Sequence, residues 1–64
     1  MRVTFAHQYL SGSFVVEGKT FDTVEEVAEA YEGVADWLIV EFVHAVGFYR
    51  AVDGGFELVP TVNA

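Results

Sequence analysis

The chain has no cysteine, a single proline, and only three basic residues against ten acidic ones. Without cysteine there is no disulfide framework and no thiolate zinc site. Small secreted domains are usually cysteine-rich, so the expectation is a cytoplasmic protein. The shortage of lysine and arginine leaves a formal net charge of −7. That disfavours direct binding to nucleic acid, which rests on cations neutralising phosphates. Long hydrophobic runs are missing too. After the acidic middle of the chain the longest uncharged stretch is 42–49, far short of the about 20 apolar residues a membrane-spanning helix needs. The start, Met1-Arg2-Val3-Thr4-Phe5, has neither the apolar core nor the cleavage pattern of a signal peptide. Neither export nor a membrane is expected.

What is present is apolar and small. A single domain over 1–64 is expected, with 61–64 as a frayed tail. At 53% hydrophobic and 16% aromatic, the chain is too apolar for a disordered acidic tail. Yet below roughly 70–80 residues a core rarely supplies more than about 3–5 kcal/mol unaided. With disulfides excluded, association is the first support to expect.

The residue pattern reads as α+β in the order β-β-α-β-β. Val3, Phe5, His7 and Tyr9 alternate with polar or small residues at the period of a strand. Ser11-Gly12 turns the chain, Phe14-Val15-Val16 returns it, and Gly18-Lys19 closes this hairpin. A helix follows. Asp22 or Thr23 is placed to cap it, with Glu25 or Glu26 completing a capping box. Val24, Val27, Ala28 and Tyr31 form its apolar stripe, and Gly33 its left-handed end. From Trp37 to Val46 the chain reads as a long strand apolar on both faces, with Gly47 as a bulge or bend that would make a fifth strand if it breaks the run. Asp53-Gly54-Gly55 marks a last hairpin and Pro60 its end. The expected architecture is one amphipathic acidic helix on a small, mostly antiparallel sheet. One helix shields only one face of such a sheet, so the other face wants a partner.

No catalytic machinery stands out. His7 and His44 can meet a carboxylate such as Glu41 only across strands, and Glu41 and His44, three apart, point to opposite faces of one strand. Structural or partly exposed histidines are the better reading. The acids sit mostly on the solvent side of the helix, in like environments, without the contrast that acid–base chemistry requires. No enzyme activity, cofactor or metal is expected.

The candidate binding residues are acidic and aromatic. Glu25, Glu29, Glu32 and Asp36 recur at the spacing of one helical face. Between Thr20 and Tyr49 there is no lysine or arginine to pair with them. At a rise of about 1.5 Å per residue such a row imitates a phosphate backbone. It equally serves as a solvated surface that keeps a small protein soluble, or as the mark of a high-salt habitat. Trp37 and Tyr49 are the aromatics expected on a binding face.

Ser13-Phe14-Val15-Val16, Asp22-Thr23-Val24-Glu25-Glu26 and the strand from Trp37 resemble, over residues 3–46, small phage-encoded inhibitors of bacterial RNA polymerase. Those are acidic single-domain proteins with a hairpin, one acidic helix and returning strands. Their polymerase-binding arginines on the strand after the helix have no counterpart here, where that strand carries Glu41 and His44 and Arg50 comes only later. The resemblance implies the class: a small acidic protein that blocks a nucleic-acid-handling enzyme. The leading expectation is therefore a non-enzymatic inhibitor whose acids dock in a basic groove while an apolar sheet face anchors it. The alternative is a structural homodimer through that sheet face, with the acids merely solvated.

Overall fold

In the computed structural model, which describes residues 1–60, the chain forms one helix and six strands in a single mixed sheet of order β3-β2-β1-β4-β5-β6. The α+β class holds. The expected β-β-α-β-β order is corrected to three strands on each side of the helix. The expected tail at 61–64 lies outside the described residues.

The first hairpin follows the alternation. β1 (Val3–Gln8) buries Ala6 while Val3, Phe5 and His7 stay exposed on the other side. β2 (Phe14–Val16) buries both Phe14 and Val16. Between them Tyr9 N donates to Ser13 O at 2.8 Å, and Gly12, at φ +97°, takes a conformation that side chains oppose.

The strand that the sequence pattern did not reveal is β3 (Lys19–Phe21), which pairs Val16 with Lys19 and Phe14 with Phe21. The turn before it is Glu17-Gly18, with φ of +51° and +81°. Positive φ at both positions matches the right-handed twist of a two-residue hairpin. Glycine accepts this freely, whereas Glu17 does not. Tyr31 on the helix holds it there, its hydroxyl donating to Glu17 Oε1 at 2.6 Å.

The helix α1 (Val24–Tyr31) starts as anticipated. Thr23 Oγ1 accepts from Glu26 N at 3.2 Å, and Glu26 Oε2 reaches back to accept from Asp22 N at 3.0 Å. Its end is abrupt. Glu32 leaves helical geometry (ψ 127°), Gly33 turns left-handed (φ +76°), and the amides of Val34 and Ala35 both donate to Tyr31 O. Asp36 therefore lies beyond the helix, which corrects the expected four-acid row. Its carboxylate accepts from Arg2 N at 2.7 Å, while Asp36 N and Trp37 N donate to Arg2 O. This clasp opens the parallel pairing of β1 with β4 (Trp37–Glu41), in register from Val3 on Trp37 to His7 on Glu41.

The expected long strand is two. The chain turns at Phe42–Ala45, where Phe42 N donates to Ala45 O at 2.7 Å, and returns as β5 (Val46–Val52). Gly47 is not the break. It lies buried within β5 opposite Val40. A side chain there would meet Phe42 and Tyr49 ring carbons, each at 3.0 Å, so its role is to let two aromatic rings converge. The last hairpin forms as read, Val52 pairing Gly55 across Asp53-Gly54 and leading into β6 (Gly55–Val59).

The core is confined to the helix side of the sheet. Val27 and Tyr31 pack on Ala6, Phe14, Val16, Ala35, Leu38 and Val40. Burying such a side chain fully is worth about 1.5–3 kcal/mol. Thus α1 is held by its one apolar stripe, and everything on the far side of the sheet is left without a layer over it.

Candidate functional site

Register and alternation together define the uncovered face. Successive strand residues point to opposite sides, so the partners of each open-side residue lie in rows across the strands. The middle row is Phe5, Ile39, Phe48 and Val59. It is wholly apolar. Phe5 is 67% exposed, while Ile39, Phe48 and Val59 shelter one another and are half-buried. On one side runs the row Val3, Trp37, Arg50 and Glu57; on the other, Val15, His7, Glu41 and Val46.

Each flanking row carries one polar pair. Arg50 Nη2 donates to Glu57 Oε1 at 2.9 Å, and His7 Nδ1 lies 2.7 Å from Glu41 Oε1. All four side chains are more than half exposed, so each pair contributes only about 0–1 kcal/mol. Arg50 offsets Glu57, so the face carries little of the chain's negative charge.

The row with His7 opens at one end into a cleft of about 880 Å³ between the turn after β1 and the Phe42–Ala45 turn, lined also by Leu10, Val43 and His44. Gln8 spans its floor, its Nε2 donating to Gly12 O at 3.3 Å and its Oε1 accepting from Val43 N at 3.4 Å. His7 and Glu41 meet here across strands, but among the described residues no three side chains converge as a metal-holding group.

The residues singled out from the sequence fall in three different places. Glu25 and Glu29 stand on α1 and Glu32 on its cap, around a shallow depression bordered by Ala28 and Gly54-Gly55. No ion pair among the described residues involves any of the three. Asp36 is removed from them and engaged with Arg2. Trp37 lies on the open face, half-buried. Tyr49 does not accompany it. It pairs with the buried Leu38 and packs on the core beneath the helix. Burial, and then the negative charge of Glu25, push its hydroxyl pKa up. Trp37 and Tyr49, both expected on a binding face, thus face opposite ways.

A second consequence is geometric. The acids of α1 and the apolar rows lie on opposite sides of a slab only 17 Å thick. A single flat partner cannot touch both at once. Of the open-face residues, Ile39 beside Trp37 and the aromatic Phe48 were candidates from the sequence, whereas Phe5 was missed. The signal was the shared period of Val3-Phe5-His7 and Trp37-Ile39-Glu41, but only the parallel register turns two apolar edges into one surface.

No protein-family model, no curated protein and no solved structure matches the chain. No helix of the described residues is long and apolar enough to cross a membrane.

Proposed function

We propose that the chain is a small, acidic, non-enzymatic protein-binding module whose contact surface is the open sheet face. One observation carries this reading: a continuous apolar row, Phe5-Ile39-Phe48-Val59, crosses the sheet with no layer over it. Apolar patches rimmed by polar residues mark interaction surfaces in soluble proteins. Trp37 beside the row and the Arg50–Glu57 and His7–Glu41 pairs at its margins give the usual plan of an apolar centre with a polar rim. The sole tryptophan also reports on the face. Binding should shield Trp37 from acrylamide and blue-shift its emission, and Phe5→Lys should abolish both changes while leaving the circular dichroism of the fold intact. If a partner binds and Trp37 stays equally quenchable, the face is not the contact.

A second reading belongs to the other side of the sheet. Glu25, Glu29 and Glu32 have no cation paired with them among the described residues. Unpaired acids in a row suit a basic groove, such as that of RNA polymerase or another nucleic-acid-handling enzyme, and would make the protein an inhibitor by imitation of phosphates. Such binding is steered by charge and weakens with salt. Changing all three to Gln should then weaken capture of purified RNA polymerase core markedly at low salt; equal capture removes this reading.

A further inference from the structure

We infer that the occupant of the open sheet face is a second copy of this chain, packed face to face in a two-fold dimer. The inference rests on the proposed use of that face and names its partner.

Three features of the surface point to self-association. The first is size. The molecule is a slab with a broad side of 31 × 28 Å, and a standard stable interface takes about 800 Å² from each partner. The open side is of that order when nearly all of it is covered.

The second is charge. A chain at −7 repels its own copy unless they meet across a weakly charged surface, and the formal charges on this face are only Arg50, Glu57 and Glu41. Arg50 lies against Glu57, and Glu41 against His7, whereas Glu25, Glu26 and Glu29 stand on the helix on the far side. Sheets packed face to face lie about 10 Å apart, and each helix sits roughly another 10 Å beyond its own sheet. The acidic helices of two copies would then be about 30 Å apart, several times the Debye length of about 8 Å at physiological salt. A charged foreign partner would gain little steering from so weakly charged a face.

The third is the order of the rows. An isologous interface must match itself under its own two-fold axis. Let that axis lie in the face, across the strands, along the row Phe5-Ile39-Phe48-Val59. The apolar row then falls on its own copy. The row of Trp37 and Arg50 falls over the row of His7 and Glu41 of the second copy, bringing Arg50 beside the strand that carries Glu41. In the flanking rows Val3 then lies over His7, Trp37 over Glu41 and Arg50 over Val46, with the Glu41 of the second copy one strand away from Arg50. The strands of the two sheets run nearly parallel or antiparallel, as in aligned sheet packing at about −30°. The product is a helix–sheet–sheet–helix sandwich whose outer layers carry the acids.

The test is the solution mass by sedimentation equilibrium at micromolar concentration, in low and in high salt, for the wild type, Phe5→Lys and Val46→Lys, the last of which sets a cation against Arg50 of the second copy. Both substituted side chains are exposed in the single chain, so circular dichroism should be unchanged. The wild type should show twice the chain mass of 7.1 kDa at both salts, and each variant should fall to the single-chain mass. Arg50→Glu should weaken the dimer at least tenfold, and adding Glu41→Arg should restore it. A wild-type monomer overturns the inference. If that monomer binds an anilinonaphthalene dye and Phe5→Lys abolishes the binding, the face remains an open contact surface for another protein. If Phe5→Lys changes nothing, the use of the face fails as well. A dimer indifferent to both substitutions also overturns the inference, because it would form elsewhere.

Discussion

The two faces of the sheet are made from the same strands and differ in almost everything else. On the helix side Leu38, Val40, Val16 and Val27 are fully shielded and Tyr31 ties the helix to the Glu17-Gly18 turn. On the open side the direct neighbours of those residues, Trp37 and Ile39, are only half-covered, and Phe5 is mostly in water. The stability of the single chain must therefore come from one face. The other face is free to be apolar for a different purpose, because its side chains add little to folding until something covers them.

Substitutions on adjacent residues of β4 should separate the faces most sharply. Leu38→Ala removes a fully buried side chain, a change that costs about 2–5 kcal/mol. A core of this size supplies about 3–5 kcal/mol in all, so urea unfolding should find Leu38→Ala largely unfolded. Phe5→Ser, on the open side, should leave the unfolding of the dilute chain within about 1 kcal/mol of wild type and show its effect in association.

The next effect in size is set by alkali. The hydrogen bond to Glu17, then burial, then the Glu17 charge push the Tyr31 hydroxyl from its ordinary pKa near 10 to about 12. A phenol that holds its proton more tightly when folded stabilises the fold fully below pH 10 and loses that contribution as pH rises through about 12. The loss should be on the order of 2–3 kcal/mol. Tyr49, raised in the same direction, adds to the same window. Thermal melts from pH 9 to 12 should fall steeply for the wild type and less steeply for Tyr31→Phe. Equal slopes would show that the Tyr31–Glu17 contact has no such role.

Smaller changes probe the helix itself. Thr23→Ala removes the cap on Glu26 N and should cost about 1 kcal/mol, read as a lower urea midpoint. Glu29→Gln relieves like-charge neighbours on the helix and should stabilise it by a few tenths, about 0.2–0.5 kcal/mol, an effect that should fade as salt is added.

The helix and both outer turns were legible because their signals are local. Thr23 and Glu26 lie within one turn of each other, the apolar stripe repeats at helical spacing, and Asp53-Gly54 sits between two apolar runs. What was not legible depends on distant pairing or on atypical chemistry. Lys19-Thr20-Phe21 is too short to show alternation, and the turn that returns it places a glutamate, not a glycine or asparagine, at positive φ. The Phe42–Ala45 turn has no glycine, proline, asparagine or aspartate to announce it, while Gly47, which looked like the break, is a packing glycine inside a strand. Spacing alone joined Asp36 to Glu25, Glu29 and Glu32 in one helical row, although Gly33, read correctly as the end of the helix, already separates it from them. Trp37 and Tyr49 both read as interface aromatics, and only the hairpin register between β4 and β5 shows that they point to opposite sides.

The account's central claim is that the open face is a contact face for a second copy, and concentration tests it most directly. The thermal midpoint should be measured at protein concentrations spanning two or three decades, for the wild type and for Phe5→Lys. Folding coupled to association makes the midpoint rise with concentration. The account predicts a rise for the wild type and a flat line for Phe5→Lys. A flat line for both, or the same rise for both, would contradict it.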